Sequence, residues 1–413
     1  MKKIGILTFH SAFNYGAFLQ CYSLCSAVKI KYPDADIEVI DYTSKKLSDY
    51  YSGSFLKSTK SKLDSSKKSG LILKIKVLVS SIIELLIGCT ERKFNIARNK
   101  SIKLGLKYLP LSCENIIAST EKEFLALFDN KYDIIIVGSD AIWNNKQTET
   151  PNIYYLHNLN NKTIRMSFAA SCYGLPYKTE SVHDLDYFKE ALNRYSYIGV
   201  RDSETENYIH LTNLDKPIFH NCDPSLFLDL SSLPVDIESV KDKFREKGVC
   251  FDKPIIGLMC NDWLAKQVRG KLGDAYQYIA LYQWNNYSDF YMDNLSPFEW
   301  ALSFSLFQAT FTHYFHGTMF SLKNGTLTFA IEKESDYLKN YKTKIKDALE
   351  RMGLLNLYYV DNQMNANDWH RIIDSTKQGA SQDYKEIVRN GIELEASNKN
   401  TFFDALDSIY YER

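Results

Sequence analysis

Residues 3–41 read KIGILTFHSAFNYGAFLQCYSLCSAVKIKYPDADIEVID. Lys3 to Phe9 is a short β-like run, Gly16 to Val28 follows a polar turn with helical patterning, and Ile37 to Ile40 is a second strand ending in Asp41. Strand, loop, helix, strand is the opening of a doubly wound α/β domain. Sheets of that kind bind ligands outside the carboxyl ends of their strands, which is where His10, Ser11, Asn14, Tyr15 and Gly16 fall. The turn holds no GxGxxG, which argues against a dinucleotide fingerprint.

The same grammar continues outward. Tyr132 to Val137 is an apolar run ending in Gly138, Ser139 and Asp140. That turn either cradles an anion with backbone N–H groups, with Asp140 on a sugar hydroxyl or acting as a base, or caps the following helix. Ser167 to Gly174 and Ile198 to Asp202 are further strand-to-loop transitions, and a linker at 229–238 rich in Ser, Pro and Asp precedes a new strand at Pro254 to Met259. Beyond it come a helix near Leu264 to Leu272, a strand at Tyr276 to Tyr282, a helix at Pro297 to Phe307 and a strand at Gln308 to Phe311. After a short corner follow a helical run from Met319 to Asn324, a strand at Leu327 to Ile331 and a helix at Tyr337 to Met352. The pattern predicts two Rossmann-like α/β domains facing a cleft, where a ligand is expected by default. The first spans 1–232 with an inserted segment at about 44–110. The second spans 233–366, and a helical tail at 367–413 is expected to return to the first.

The chain has 413 residues, 45% hydrophobic and 24% charged, with Lys plus Arg equal to Asp plus Glu. No global field therefore favours nucleic acid, and any anion must be held by local geometry. The eight cysteines show neither CxxC nor zinc-like spacing, and the chain starts in a strand pattern without a signal-peptide run, so reduced thiols in a cytoplasmic protein are expected. Cys21 and Cys25 lie one turn apart on an apolar helix face, a spacing that packing explains better than metal binding. No metal site and no resident cofactor are expected.

Residues 44–70, rich in Ser, Lys, Asp and Tyr, read as an insertion or mobile loop. Leu71 to Gly88 reads LILKIKVLVSSIIELLIG, and Lys74, Lys76 and Glu84 make a transmembrane span improbable. The stretch is either a buried helix or a peripheral membrane contact helped by Lys67, Lys68, Arg92 and Lys93, which would place the protein at the inner face of a membrane.

Thr312 to Thr318, THYFHGT, is the second decisive stretch. A histidine followed by glycine at a strand-to-helix corner sets a titratable side chain beside backbone N–H groups, where phosphates and carboxylates bind. The alternative is a histidine that caps the helix or is buried in the turn.

Six pieces in order resemble one family, the polysaccharide pyruvyl transferases: Gly5 to Gln20, Val137 to Trp143 (VGSDAIW), Ser167 to Ser171 (SFAAS), Val200 to Glu204 (VRDSE), Asp223 to Leu228 (DPSLFL), and Thr312 to Thr318 with Phe329 to Ile331. The resemblance implies a fold similar to B-type glycosyltransferases. It also implies phosphoenolpyruvate as donor and co-substrate, and a sugar of a cell-surface polysaccharide or a lipid-linked oligosaccharide as acceptor. Arg201 then matches the family's arginine after its VR pair and His316 its histidine. A guanidinium fork suits a phosphate or carboxylate, and a group titrating near neutrality suits the proton transfers of ketal formation. On this reading His316 and Asp140 are the catalytic candidates. Arg201, Gly317, Thr318, Tyr314, His313 and Ser139 bind donor, and His10, Asn14 and Tyr15 line the acceptor site. Whether His316 is acid, base or phosphate contact stays open.

Position 314 departs from the family, which carries arginine two residues before the histidine. Tyr314 brings one hydroxyl and no charge. Either His313, Lys342 or Lys344 compensates, or the donor is a nucleotide sugar, or the chain is a noncatalytic glycan-binding relative.

Overall fold

The structure is a computed structural model that describes residues 1–51, 75, 79, 89–118, 120–148, 151–178 and 185–412. Apart from residues 75 and 79, the apolar run at 71–88 lies outside the described residues, as does 52–70. Among the described residues no helix is long and apolar enough to cross a membrane.

The chain divides into two compact units, one of residues 1–96, 102–224 and 398–413, the other of 97–101 and 225–397. The first is built on a parallel sheet of β1 (Lys3–Leu7), β2 (Asp36–Val39), β5 (Ile134–Val137), β6 (Ile164–Ala170), β7 (Tyr195–Val200) and β8 (Phe219–His220). Their spatial order is β2-β1-β5-β6-β7-β8, so the direction of winding reverses between β1 and β5. β5 reads IIIV and is buried at every position, as a strand covered on both faces must be. A separate parallel pair, β3 (Tyr42–Ser44) with β4 (Ile116–Ala118), brackets the inserted segment.

The helix Tyr15–Lys31 follows β1 and is capped by Asn14, whose Oδ1 accepts from the Gly16 N–H at 2.9 Å. Cys21 and Cys25 are both buried thiols within it, and burial pushes the Cys21 thiol well up.

The second unit has its own parallel sheet of β9 (Ile255–Met259), β10 (Gln277–Ala280), β11 (Phe290–Tyr291), β12 (Ala309–Thr312), β13 (Leu327–Glu332) and β14 (Tyr358–Val360). The order is β11-β10-β9-β12-β13-β14, with the reversal between β9 and β12. Ile256, Leu258, Phe311 and Phe329 from the sheet pack with Val268, Trp369 and Ile372 from its helices in one apolar cluster.

Two differences from the sequence-based expectation matter for function. The helix expected over Met319 to Asn324 starts earlier and spans Phe315–Lys323, so His316 lies in its first turn. The helix expected over Tyr337 to Met352 is two, Asp336–Asn340 and Lys344–Arg351. Tyr341 turns extended, and Thr343 caps the second helix by accepting from the Lys346 N–H at 3.2 Å. A side chain that can satisfy an opening amide starts a new helix where apolar spacing alone suggested continuity.

The changeover between units lies at 224/225, where the linker composition had pointed to 232/233. In the tail, Ala366–Gln378 and Gln382–Ala396 pack with the second unit. The last helix, Lys399–Glu412, joins the first: the Phe402 ring meets Phe168 edge-on at 4.8 Å, and Tyr197 shares a hydrogen bond with Thr401 at 2.9 Å.

Candidate active site

In a doubly wound sheet the crevice for a ligand opens where the winding reverses. In the second unit that point lies between the carboxyl ends of β9 and β12, and β12 runs directly into Thr312 to His316. Thr312 shapes the corner: its Oγ1 accepts from the Tyr314 N–H at 3.0 Å, turning the chain from strand to helix. The helix then leaves with its amino end at the crevice, the end where its dipole favours anions.

His316 occupies the second position of that helix and is 5% exposed, with the Phe315 ring edge-on at 5.2 Å. Gly317 is explained by packing. A Cβ there would sit 2.5 Å from Met259 Sδ and 2.6 Å from Thr312 Oγ1, so only glycine lets the helix press onto the ends of β9 and β12. Thr318 is wholly buried, and its N–H and Oγ1 both donate to the Tyr314 carbonyl, at 3.0 and 3.1 Å. Its polar groups thus brace the helix instead of facing a donor.

Tyr314 donates its hydroxyl to Gln283 Oε1 and meets the Tyr282 ring edge-on at 5.1 Å, so it reaches toward the loop after β10. His313 stacks on Trp263 with centroids 6.3 Å apart. Burial lowers its pKa to about 4, so the imidazole is neutral at physiological pH and does not supply the charge missing at position 314. Lys342 is paired with Asp347 at 3.2 Å and with Glu350. Lys344, the first residue of the helix capped by Thr343, holds its Nζ 5.5 Å from the Phe315 ring centroid. At the end of β13, Glu332 accepts from Thr343 Oγ1 at 2.6 Å and Tyr358 Oη at 2.7 Å. Burial lifts its carboxyl above the usual range, against the pull of those bonds and of Lys344.

The neutral His313 has a measurable consequence. Its folded pKa is near 4 and its unfolded value about 6.5. Between these, the unfolded chain binds a proton that the folded one refuses, so the contribution is complete above pH 6.5 and lost as pH falls toward 4. At 1.36 kcal/mol per unit this amounts to at most about 3 kcal/mol, less as solvent reaches the ring. His313→Phe keeps a flat ring on Trp263 and removes the titration. Guanidinium unfolding at pH 7.5, 5.5 and 4.5 is expected to show a shallower acid loss in the variant, and identical slopes would rule this account out.

In the first unit the reversal lies between β1 and β5, and the polar residues predicted there are mostly bonded to one another. His10 is fully buried, with Nε2 2.9 Å from Asp41 Oδ1 and Nδ1 3.3 Å from the Thr8 carbonyl. Asn115 donates to the other Asp41 oxygen at 2.6 Å. Burial works to raise the Asp41 carboxyl, but the bonds from His10 and Asn115 and the electrostatic pull of His10 outweigh it and hold it below the ordinary range. His10 is thus a brace for Asp41, Asn14 is a partly exposed helix cap, and Tyr15 is 1% exposed.

The Gly138 to Ala141 turn is likewise committed. Gly138 N–H donates to Leu7 O at 3.0 Å, Ser139 N–H to Gln20 Oε1 at 3.2 Å, and Ala141 N–H to Asp140 Oδ1 at 2.8 Å. Ser139 is fully buried, and its hydroxyl has no hydrogen-bond partner among the described residues. Gly138 has φ +119, and a Cβ on it would lie 2.1 Å from the Phe168 carbonyl oxygen, which excludes other residues. Asp140 adopts φ +85, an uncommon conformation for a residue with a Cβ, and its side chain stays partly exposed at the strand end.

Arg201, expected on the donor, is 1% exposed among carboxylates. Its Nη1 donates to Asp223 Oδ2 at 3.0 Å, and its Nη2 lies 3.7 Å from Asp140 Oδ1. Burial alone would lower its pKa; the charges of Asp223, Asp140 and Asp202 outweigh that and raise it. The Asp223 pair and the nearby Asp140 and Asp202 thus tie the Arg201 guanidinium to an acidic cluster at these strand ends.

Asp41, Asn115, Gln283 and Glu332 belong to these two strand-end networks, and the sequence reading did not single them out as site residues. Asp41 and Glu332 each carry a local signal, a place at the end of a strand, but their partners come from other segments of the chain.

Comparisons with known proteins agree with this architecture. No curated protein matches the sequence. Among solved structures, the UDP-GlcNAc 2-epimerase of Neisseria meningitidis bound to UDP-GlcNAc is 9% identical with TM-score 0.50, over 99% of this chain and 100% of that one. The Anabaena protein HepE in complex with UDP is 8% identical with TM-score 0.53, also over 99% and 100%. At these identities the likeness is one of fold, two Rossmann-like domains as in B-type glycosyltransferases. The family model of the polysaccharide pyruvyl transferases matches residues 14–334. That span runs from the Asn14 cap through the histidine corner to just past β13, and the chain accordingly belongs to the polysaccharide pyruvyl transferase family and is a transferase enzyme.

Proposed function

We propose that the protein transfers the three-carbon unit of phosphoenolpyruvate onto two hydroxyls of a sugar in a cell-surface polysaccharide or its lipid-linked precursor. Two sugar oxygens bond to C2, the C2–O bond to phosphate breaks, one hydroxyl proton is made up at C3 and the other leaves with inorganic phosphate. The observation that carries this reading is the place of His316: in the first turn of a helix whose amino end opens at the reversal point between β9 and β12. A titratable ring there can move the proton while the helix amino end and Lys344 attract the donor's anionic groups.

Incubation with phosphoenolpyruvate and a glycan acceptor is expected to release one phosphate per ketal formed. A protein stabilised thermally by UDP, unaffected by phosphoenolpyruvate and silent in the phosphate assay would instead be a nucleotide-sugar enzyme, the ligand class named in the similar folds. Glycan binding with no phosphate release from any donor would mark a noncatalytic relative.

A further inference from the structure

Tyr314 brings no charge to the histidine corner, and neither the neutral His313 nor the carboxylate-paired Lys342 supplies one. One arginine reaches this corner from a distant part of the chain. Residues 97–101, in the middle of the helix Cys89–Gly105, belong to the second unit, and Ser101 Oγ donates to the Leu295 carbonyl at 2.7 Å. This turn carries Arg98. Its guanidinium carbon lies 4.3 Å from the Tyr282 ring centroid, and its Nη1 donates to the Tyr282 carbonyl at 2.8 Å. Tyr282 in turn meets Tyr314 edge-on at 5.1 Å, so Arg98, Tyr282 and Tyr314 form a continuous stack ending at the helix that bears His316.

The charge on Arg98 is uncommitted. Among the described residues no carboxylate pairs with it, and its Nε is buried without a hydrogen-bond partner. Arg201, Arg269 and Arg351 each have carboxylate partners. A guanidinium held by one carbonyl and one aromatic face keeps most of its fork for a ligand, and the stack fixes its plane beforehand. A buried donor without an acceptor is destabilising until something accepts from it.

We infer that Arg98 is the anion-binding arginine of the His316 corner. Its ligand is an oxyanion, a phosphate or a carboxylate, of the donor; in naming the donor the inference rests on the pyruvyl-transfer reading. It explains why Tyr314 is tolerated: a tyrosine there completes the aromatic stack that seats Arg98, whereas a second guanidinium would repel it.

The test uses the full chain, with phosphoenolpyruvate, inorganic phosphate and pyruvate as separate probes in calorimetric titration. Arg98→Gln retains a donor for the Tyr282 carbonyl, and Arg98→Ala removes the group altogether; circular dichroism and melting temperature verify both folds. Dissociation constants for phosphoenolpyruvate are expected to rise about 10- to 150-fold in each variant, the loss of a charged hydrogen bond. Adding Tyr314→Arg to Arg98→Gln is expected to recover most of that loss, and phosphate against pyruvate tells which oxyanion is held. Unchanged affinity for all three probes in Arg98→Gln would overturn the inference and leave Arg98 as a brace for Tyr282, and so would a loss that Tyr314→Arg does not restore. Wild-type protein that binds phosphate through Arg98 but ignores phosphoenolpyruvate would sustain the inference while removing the proposed donor. Wild-type protein that binds none of the probes would remove both.

Discussion

His316→Ala is expected to lower kcat for phosphate release by about 100- to 10,000-fold, the span of general acid–base catalysis, with the fold intact. The ring is in the first turn of its helix, where alanine is well tolerated, and it is not part of the apolar cluster that holds the sheet. Truncation is therefore expected to move stability by no more than about 1–2 kcal/mol. The kinetic pattern separates the roles this residue can play. Equal falls in kcat and kcat/KM mean an interaction made only in the transition state, the signature of proton transfer. A raised KM with unchanged kcat means that His316 merely holds the donor. Full activity in the variant would take the residue out of the mechanism and require another proton carrier on the same strand ends, of which Glu332, with its raised carboxyl, is the neighbour to test.

Arg201→Ala is expected to act first on stability. Removing the guanidinium leaves Asp223, 1% exposed at its side chain, and Asp140 and Asp202 beside it without the cation that offsets their charge. Breaking a buried pair by deleting one partner typically destabilises by about 3–5 kcal/mol, a large part of the roughly 5–15 kcal/mol that holds a domain together. Calorimetry should show a substantially lower melting temperature for this variant, or no folded first unit. Arg201→Met with Asp223→Asn removes charge on both sides and is expected to recover part of the loss. The opposite outcome, a normal melting temperature with lost donor affinity, would restore Arg201 to the donor site and refute the carboxylate cage. The contrast with His316 is the useful result: similar losses of activity would arise from different causes, visible only when stability is measured alongside.

Much of the architecture was legible in the chain. The run from Lys3 to Asp41 reads as strand, helix, strand because buried parallel strands are short apolar runs and the helix between them opens at an Asn cap. The same logic placed β5, β9, β12 and β13 within a few residues. It failed at Tyr341 to Thr343, where a Thr cap divides apolar periodicity that looks continuous. The site was less legible. His316 and its place at a strand-to-helix corner could be read locally, since both neighbours are adjacent in sequence. The roles of Arg201, Ser139, Thr318 and His10 could not, because a polar residue at a strand end looks the same whether its partner is a ligand or another side chain.

The sequence by itself determined where most strands and helices lie, that the chain winds twice in the doubly wound manner, and which family it belongs to, because these follow from local periodicity, caps and short motifs. Only the tertiary structure decided which charges are already neutralised. Asp140 and Asp223 meet Arg201 from the ends of other strands, burial strips His313 of its proton, and Arg98 arrives beside Tyr282 from nearly two hundred residues away in the chain. Charge compensation acts through distance and desolvation, and neither is set by neighbours in sequence.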